Sequence, residues 1–228
     1  MTKQDDLDAH LAPLRAIARS RCEGADSAHD WLHVERVTAT ARRIAAAEGA
    51  NVRITTAAAL LHELFNLPKN HPEAHRSGEL CAAQARVVLV AQGWSEADME
   101  AVCHAIHVHP FSLGVVPDTL EAKILQDADR LDAIGAVGVA RCFATCAAMQ
   151  RPFYDPDDPR AERRAHDDKR WGVDHFYQKL LRLETRMHTA TARAIAARRT
   201  RFLRDFLEQF FEEVCPIGDP FPRDLTVG

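Results

Sequence analysis

Apolar positions recur along almost the whole chain at helical spacing. Leu7, Leu11, Leu14 and Ile17 fall on one stripe and predict a first amphipathic helix over 7–22. Val34, Val37, Ala41 and Ile44 line a second, with Asp26 or Ser27 as its cap and Gly49 at its end. Thr55 and Thr56 open a third, "TTAAALLHELF", stopped by Pro68. A fourth covers 77–92 and ends at Gly93; a fifth, "SEADMEAVCHAIHVH", starts on a Ser95-to-Asp98 capping box and stops at Pro110. "PDTLEAKILQDADRLDAIGAVGVARCFATCAAM" reads as one long helical stretch kinked at Gly135 or Gly138. Two further helices, "HFYQKLLRLETRM" and "TATARAIAARRTRFLRDFLEQFFEEV", follow. No alternating strand of Val, Ile, Thr or aromatic residues occurs. The pattern predicts one all-α domain, a helical bundle over 1–228, without repeat or linker. Its one long polar interruption, 151–170, is rich in Pro, Asp and Arg and is expected to be a lid or a flexible loop.

Composition narrows the functional classes. With 228 residues, 46% of them hydrophobic, the chain can bury a sizeable core. A formal net charge of −4 argues against a general nucleic-acid binder, which carries a basic excess or stripe. No apolar run approaches the ~20 residues needed to cross a bilayer, and the polar, acidic start "MTKQDDLDAH" lacks the apolar centre of a signal peptide. A cytoplasmic protein with no membrane or nucleic-acid partner is the expectation. The six cysteines are scattered without a C-x-x-C pair; Cys142 and Cys146, one helical turn apart in an Ala-rich segment, read as buried reduced thiols. The twelve histidines are more informative, because several stand near carboxylates.

The doublet His62–Glu63, at the end of an Ala/Leu run, first suggests a zinc-protease helix. H-E-x-x-H works by placing two histidines four apart on one metal with the glutamate as base. Here the fourth residue after His62 is Asn66, so that motif fails. A different pattern surrounds it. "HDWLHVERV" puts His29 and His33 on one helix face, and "LQDADRLDA" supplies Asp127, Asp129 and Asp132. Three helices thus each offer metal-capable groups among apolar residues, as bundles do when they build a metal site from inward-facing side chains. Mixed imidazole and carboxylate donors suit Mn, Fe, Ni, Co or Zn better than Ca.

The order His33 … His62–Glu63 … Asp129 resembles the HD-domain metal-dependent phosphohydrolase superfamily, whose signature is His … His-Asp … Asp. "HDWLHVERV", "LPKNHP", "ILQDADRLDAIGAVGVAR" and the C-terminal "HFYQKLL" stretch look most like its small single-domain bacterial branch, over roughly residues 25–213. The resemblance implies an all-α bundle of the HD-domain type with one divalent metal ion (Mn, Mg, Fe, Ni, Co or Zn) between core helices. Carried over by position, the ligands are His33, His62, Glu63 and Asp129. Glu63 departs from the family's aspartate, and its extra methylene shifts the carboxylate by about one C–C bond, more than the ~0.5 Å a catalytic site tolerates.

A divalent ion with open positions would polarise a phosphoryl group and lower the pKa of a water, with Glu63 as an alternative proton acceptor. Lys69 and His71, in the loop between Pro68 and Pro72, and also Arg36, His109 and Arg130, are the candidates to meet phosphate. The resemblance implies hydrolysis of a small phosphorylated substrate, a nucleotide, and within the branch a nucleoside triphosphate pyrophosphohydrolase releasing diphosphate. The alternatives are a 5′-nucleotidase-like phosphomonoesterase and, because of Glu63, a nucleotide-binding or scaffold protein with a degenerate metal site. The periodic C-terminal helix leaves a homodimer open.

Overall fold

The computed structural model describes residues 3–22, 30–67 and 71–214, and among these there are α-helices, 3-10 turns and loops but no strand. The helices are α1 (Lys3–Arg21), α2 (Trp31–Glu48), α3 (Val52–Leu61), α4 (Ser77–Ala91), α5 (Glu96–Val108), α6 (Leu120–Asp132), α7 (Ala136–Ala148), α8 (Asp174–Gln178) and α9 (Ala190–Val214). The all-α expectation holds. No single described helix is long and apolar enough to cross a membrane.

α3 is the centre of the assembly. Every residue from Ile54 to Leu61 is buried, and α1, α2, α5 and α6 pack around it. A helix apolar on all sides must be enclosed in this way, and Ala57, Ala58 and Ala59 let its neighbours come close. On α2, the predicted stripe Val34, Val37, Ala41 and Ile44 is wholly buried. One apolar cluster runs from Leu11 in α1 to Phe211 in α9. Each fully buried Leu, Ile or Phe in it contributes about 1.5–3 kcal/mol relative to exposure.

Local capping fixes where the helices begin and end. Ser95 caps α5 by accepting from the Asp98 N–H, as the capping box predicts. Asp26 and Ser27, read as caps of α2, lie outside the described residues; Asp30 is the cap, its carboxylate accepting from the His33 N–H at 2.9 Å. α3 starts earlier and stops earlier than predicted. Asn51 caps it through Arg53 and Ile54, so Thr55 is interior and its hydroxyl donates back to the Asn51 carbonyl. At the other end the Cys81 thiol donates to the carbonyls of Leu61 and His62, satisfying the helix terminus before Glu63. His62 and Glu63 therefore stand just beyond the helix.

Two more boundaries follow from backbone chemistry. α6 and α7 are separate helices bent by 69°, with Gly135 at φ 82° and ψ −164° between them. That region is open essentially to glycine alone. The segment "HFYQKLLRLETRM" is not one helix: after α8 come only the 3-10 turns Leu180–Arg182 and Glu184–Arg186. Its backbone is held elsewhere, since Arg130 takes the Arg186 carbonyl and Asp127 takes the N–H groups of His188 and Thr189. The stretch 151–170 contains no helix and is tied to the body by Gly172 and Val173, which donate to the carbonyls of Pro152 and Phe153, and by an Arg164–Asp174 ion pair.

Candidate metal centre

Three elements bring their polar groups to one point. His33 comes from the first turn of α2, His62 from the end of α3 and Asp129 from the last turn of α6. One donor atom from each lies within 4.8 Å of the others. His33 Nε2 is 3.3 Å from His62 Nε2 and 3.5 Å from Asp129 Oδ1. Glu63 Oε1 stands 3.8 Å from each imidazole Nε2, so its longer side chain still reaches this point. Asn66, where a protease helix would carry histidine, has its amide 3.5 Å from the other Glu63 oxygen.

The outer contacts of the two rings set their protons. His62 Nδ1 faces the Ala59 carbonyl at 2.7 Å, and a carbonyl only accepts, so Nδ1 carries the hydrogen. His33 Nδ1 faces the Asp132 carboxylate at 2.8 Å and donates in the same way. With both Nδ1 hydrogens committed outward, the two Nε2 atoms face one another across 3.3 Å. A cation between them satisfies both nitrogens. One shared proton would not balance Asp129 and Glu63 as well, whereas a divalent cation would. Two nitrogens bound to one ion at about 2.0–2.1 Å with tetrahedral angles also stand a little over 3 Å apart. His33, His62 and Asp129 fit a divalent ion as donors, with the Glu63 carboxylate beside the two imidazoles.

Electrostatics points the same way. Burial, with His33 and His109 nearby, lowers the His62 pKa to about 3, so its ring is neutral and able to ligate at any ordinary pH. Burial works to raise the Asp129 carboxyl, but His33, His62, His109 and Arg141 outweigh it and lower it to about 2. Glu63 behaves differently: burial dominates and raises it to about 7. A carboxyl poised there either ligates a cation or exchanges a proton near neutrality.

Around this point lies a cleft of about 690 Å³, within the usual range for small-molecule sites. His62, Glu63, Asp129, His109 and Arg130 all line it. The His109 ring meets His62 edge-on at 5.3 Å, and its Nδ1 donates to the Ile106 carbonyl at 2.6 Å. Other sequence-predicted residues stand apart. Arg36 is absent from the cleft lining and forms a two-point pair with Asp132 at 2.7 and 3.0 Å. His71 is exposed, its Nδ1 accepting from the Glu73 N–H. Lys69 lies outside the described residues. Asp127, another metal-capable residue of the same segment, instead holds the start of α9 through His188 and Thr189.

Sequence reasoning left three residues without a role, although it had listed Asp132 among the metal-capable groups. Asp132 is 4% exposed and accepts from His33, Arg36 and Arg141, the last at 2.6 Å. It fixes the ring that faces Asp129, the usual task of a carboxylate behind a ligating histidine. Arg141 links that carboxylate to the cleft, and Lys179 also lines it. The signal for Asp132 was its place three residues after Asp129, on a neighbouring helix position.

Comparison with known proteins identifies the family. Residues 31–134, which include His33, His62 and Asp129, match the HD-domain family. The uncharacterized Bacillus subtilis protein YpgQ is 34% identical over 205 residues, covering 88% of this chain and 92% of its own length. The crystal structure of Bacillus subtilis YpgQ in complex with ADP superposes with a TM-score of 0.71 at 32% identity, over 93% of this chain and 99% of that one. An HD-superfamily hydrolase from Bacillus thuringiensis gives a TM-score of 0.70 at 32% identity, over 95% of this chain and 100% of the other. The chain therefore belongs to the HD superfamily of hydrolases.

Proposed function

We propose that this chain is a metal-dependent phosphohydrolase of nucleotides that cleaves nucleoside triphosphates to nucleoside monophosphate and diphosphate. The observation that carries the metal requirement is the pair of Nε2 atoms 3.3 Å apart, with their Nδ1 protons committed to Ala59 and Asp132. His33, His62, Asp129 and Glu63 would hold the ion. When bound, a divalent ion supplies Lewis-acid polarisation of a phosphoryl oxygen and a water of lowered pKa. Glu63, poised near neutrality and at the cleft wall, is placed to accept a proton from an attacking water. Arg130, Arg141 and His109 line the same wall and meet phosphate charge.

A nucleotide substrate is supported by the ADP bound to the Bacillus subtilis relative. It is also supported by a cleft that joins charged groups to an apolar wall of Phe65, Leu67, Leu180 and Leu183. In this reading the chain works as a single domain, and 151–170 serves as a lid: Arg151, Asp168 and Lys169 at its two ends border the cleft. Glu63 favours an active enzyme over a degenerate binding site, because its carboxylate reaches both imidazoles despite the extra methylene.

The test is a hydrolysis screen of the purified chain with Mn²⁺ over nucleoside tri-, di- and monophosphates, with products identified. Diphosphate and monophosphate from triphosphates is the expected result. Release of orthophosphate alone would establish the phosphomonoesterase instead. No turnover with any metal, rescued by Glu63→Asp, would show a disabled site.

A further inference from the structure

A helix on the outside of a bundle ordinarily turns charged residues to solvent. α7 does not. Every exposed residue in it is apolar: Ala136, Val137, Ala140, Ala147 and Ala148. At about 100° per residue these positions share one face, opposite the side on which Gly138, Cys142 and Cys146 are buried. Its one charged residue, Arg141, turns away from that face to Asp132 and the cleft.

Large side chains border the face. Phe143 of α7 meets Phe153 at 4.8 Å, and Phe206 and Phe210 of α9 at 6.0 Å, between ring centroids. Around them Phe153 is 46% exposed, Phe202 44% and, at the end of α7, Met149 59%. With Val137 and the alanines they leave apolar surface on the order of 500 Å² open to solvent, toward the upper end for a typical monomer. A standard interface between two chains buries about 800 Å² on each, of which ~65% is apolar in homodimers. The two areas match.

α9 indicates which chain covers it. Arg198, Phe202 and Asp205 lie on one side of that helix, because seven residues make almost two turns. All three are exposed, and their order (cation, ring, anion) is complementary to itself when reversed. A two-fold axis beside Phe202 sets Arg198 of each copy against Asp205 of the other and brings the two rings together. Self-complementarity is what an isologous contact requires, and matched charge fixes its register.

We propose that the α7 face and the Phe202 side of α9 are the contact surface for a second copy of this chain. The copies are related by a two-fold axis, α9 lies antiparallel to its mate, and Arg198 pairs with the partner's Asp205. α7 then stands between two sites. Its inner side presents Arg141, Cys142 and Thr145 to the cleft, and its outer side meets the partner. The contact needs neither metal nor substrate, so it stands apart from the function proposed above.

Sedimentation equilibrium of the full chain over micromolar concentrations tests this, with circular dichroism as the check on folding. The parent is expected at twice the chain mass. Ala140→Glu, at an exposed position, should keep native helical content and weaken association at least about tenfold, since a carboxylate enclosed in the interface loses its water. Arg198→Asp should weaken it about tenfold by facing like charges, and adding Asp205→Arg should recover most of that loss. A parent that stays monomeric overturns the proposal and leaves the face to a different protein or to residues 215–228. A folded Ala140→Glu chain that dimerises as tightly as the parent overturns it as well, by placing the contact elsewhere. So does a double reversal no better than Arg198→Asp alone, which would remove the antiparallel register.

Discussion

Asp132→Asn changes one oxygen for an amide at a place where three cationic or polar side chains meet. The native carboxylate accepts from His33 Nδ1 at 2.8 Å, from Arg36 at 2.7 and 3.0 Å, and from Arg141 at 2.6 Å. Removing one partner of a buried ion pair costs about 3–5 kcal/mol. Arg36 is 35% exposed at its side chain and rehydrates readily, which places the expected loss at about 3 kcal/mol, the lower end of that range. The second consequence is chemical. Without the carboxylate, the amide must choose between accepting from His33 and turning its NH₂ toward it, and the ring is no longer fixed. Loss of such an outer partner typically weakens metal binding by about 10–100-fold.

The assays are urea unfolding of the metal-free chain and metal affinity by competition with a chromophoric chelator. Arg36→Ala is the control, since it leaves the His33–Asp132 contact in place and should alter metal affinity little. The pH dependence carries its own sign. Burial works to raise the Asp132 carboxyl, but hydrogen bonds from His33 and Arg36 together with the nearby cations hold it well below the usual carboxylate range. Its stabilisation is therefore complete above about pH 4 and is lost as the pH falls below that. Asp132→Asn should flatten the acid limb of the stability curve. A folded Asp132→Asn protein with metal affinity within about twofold of the parent would refute the assignment of Asp132 as the residue that orients His33.

Other consequences are equally direct. In the metal-free chain Glu63 is raised to about 7, so its charged form costs stability above that pH and the cost disappears toward the ordinary carboxylate pKa. Metal uptake should accordingly strengthen as pH rises through about 7, and Glu63→Gln should flatten the profile; parallel profiles in chelator competition would count against Glu63 as a donor. Gly135→Ala places a Cβ at a backbone of φ 82° and 3.1 Å from the Arg199 side chain, for an expected cost of about 1–3 kcal/mol. Calorimetry should show this as a fall of several degrees in Tm, and an unchanged Tm would contradict it. If 151–170 is a lid, a nucleoside triphosphate with metal should slow its proteolysis; equal cleavage with and without ligand would remove that role.

Much of the architecture was written in local chemistry. The Ser95–Asp98 box placed the start of α5, and the buried stripe of α2 was legible from Val34 to Ile44. His62 stood out because a polar doublet followed an apolar run. What was not legible depended on long-range partners. The helix ending at Leu61 relies on the Cys81 thiol twenty positions away, and the loss of helix after α8 relies on Asp127 and Arg130. The three aspartates of α6 illustrate the limit most clearly. At about 100° per residue they face different neighbours, and only the fold sends Asp127 to α9, Asp129 to the cleft and Asp132 to α2. Lys179 and Arg141 are likewise ordinary surface-type residues in sequence, and become notable only where the chain brings them to the cleft.

The most direct measurement is the metal content of the purified chain and of two single variants on the same helix. The parent and Asp127→Ala should both carry about one divalent ion per chain, Asp127→Ala with lowered stability from the lost α9 cap. Asp129→Ala should fold and carry none. Retention of metal by Asp129→Ala, or its loss from a folded Asp127→Ala, would contradict the centre built from His33, His62, Glu63 and Asp129.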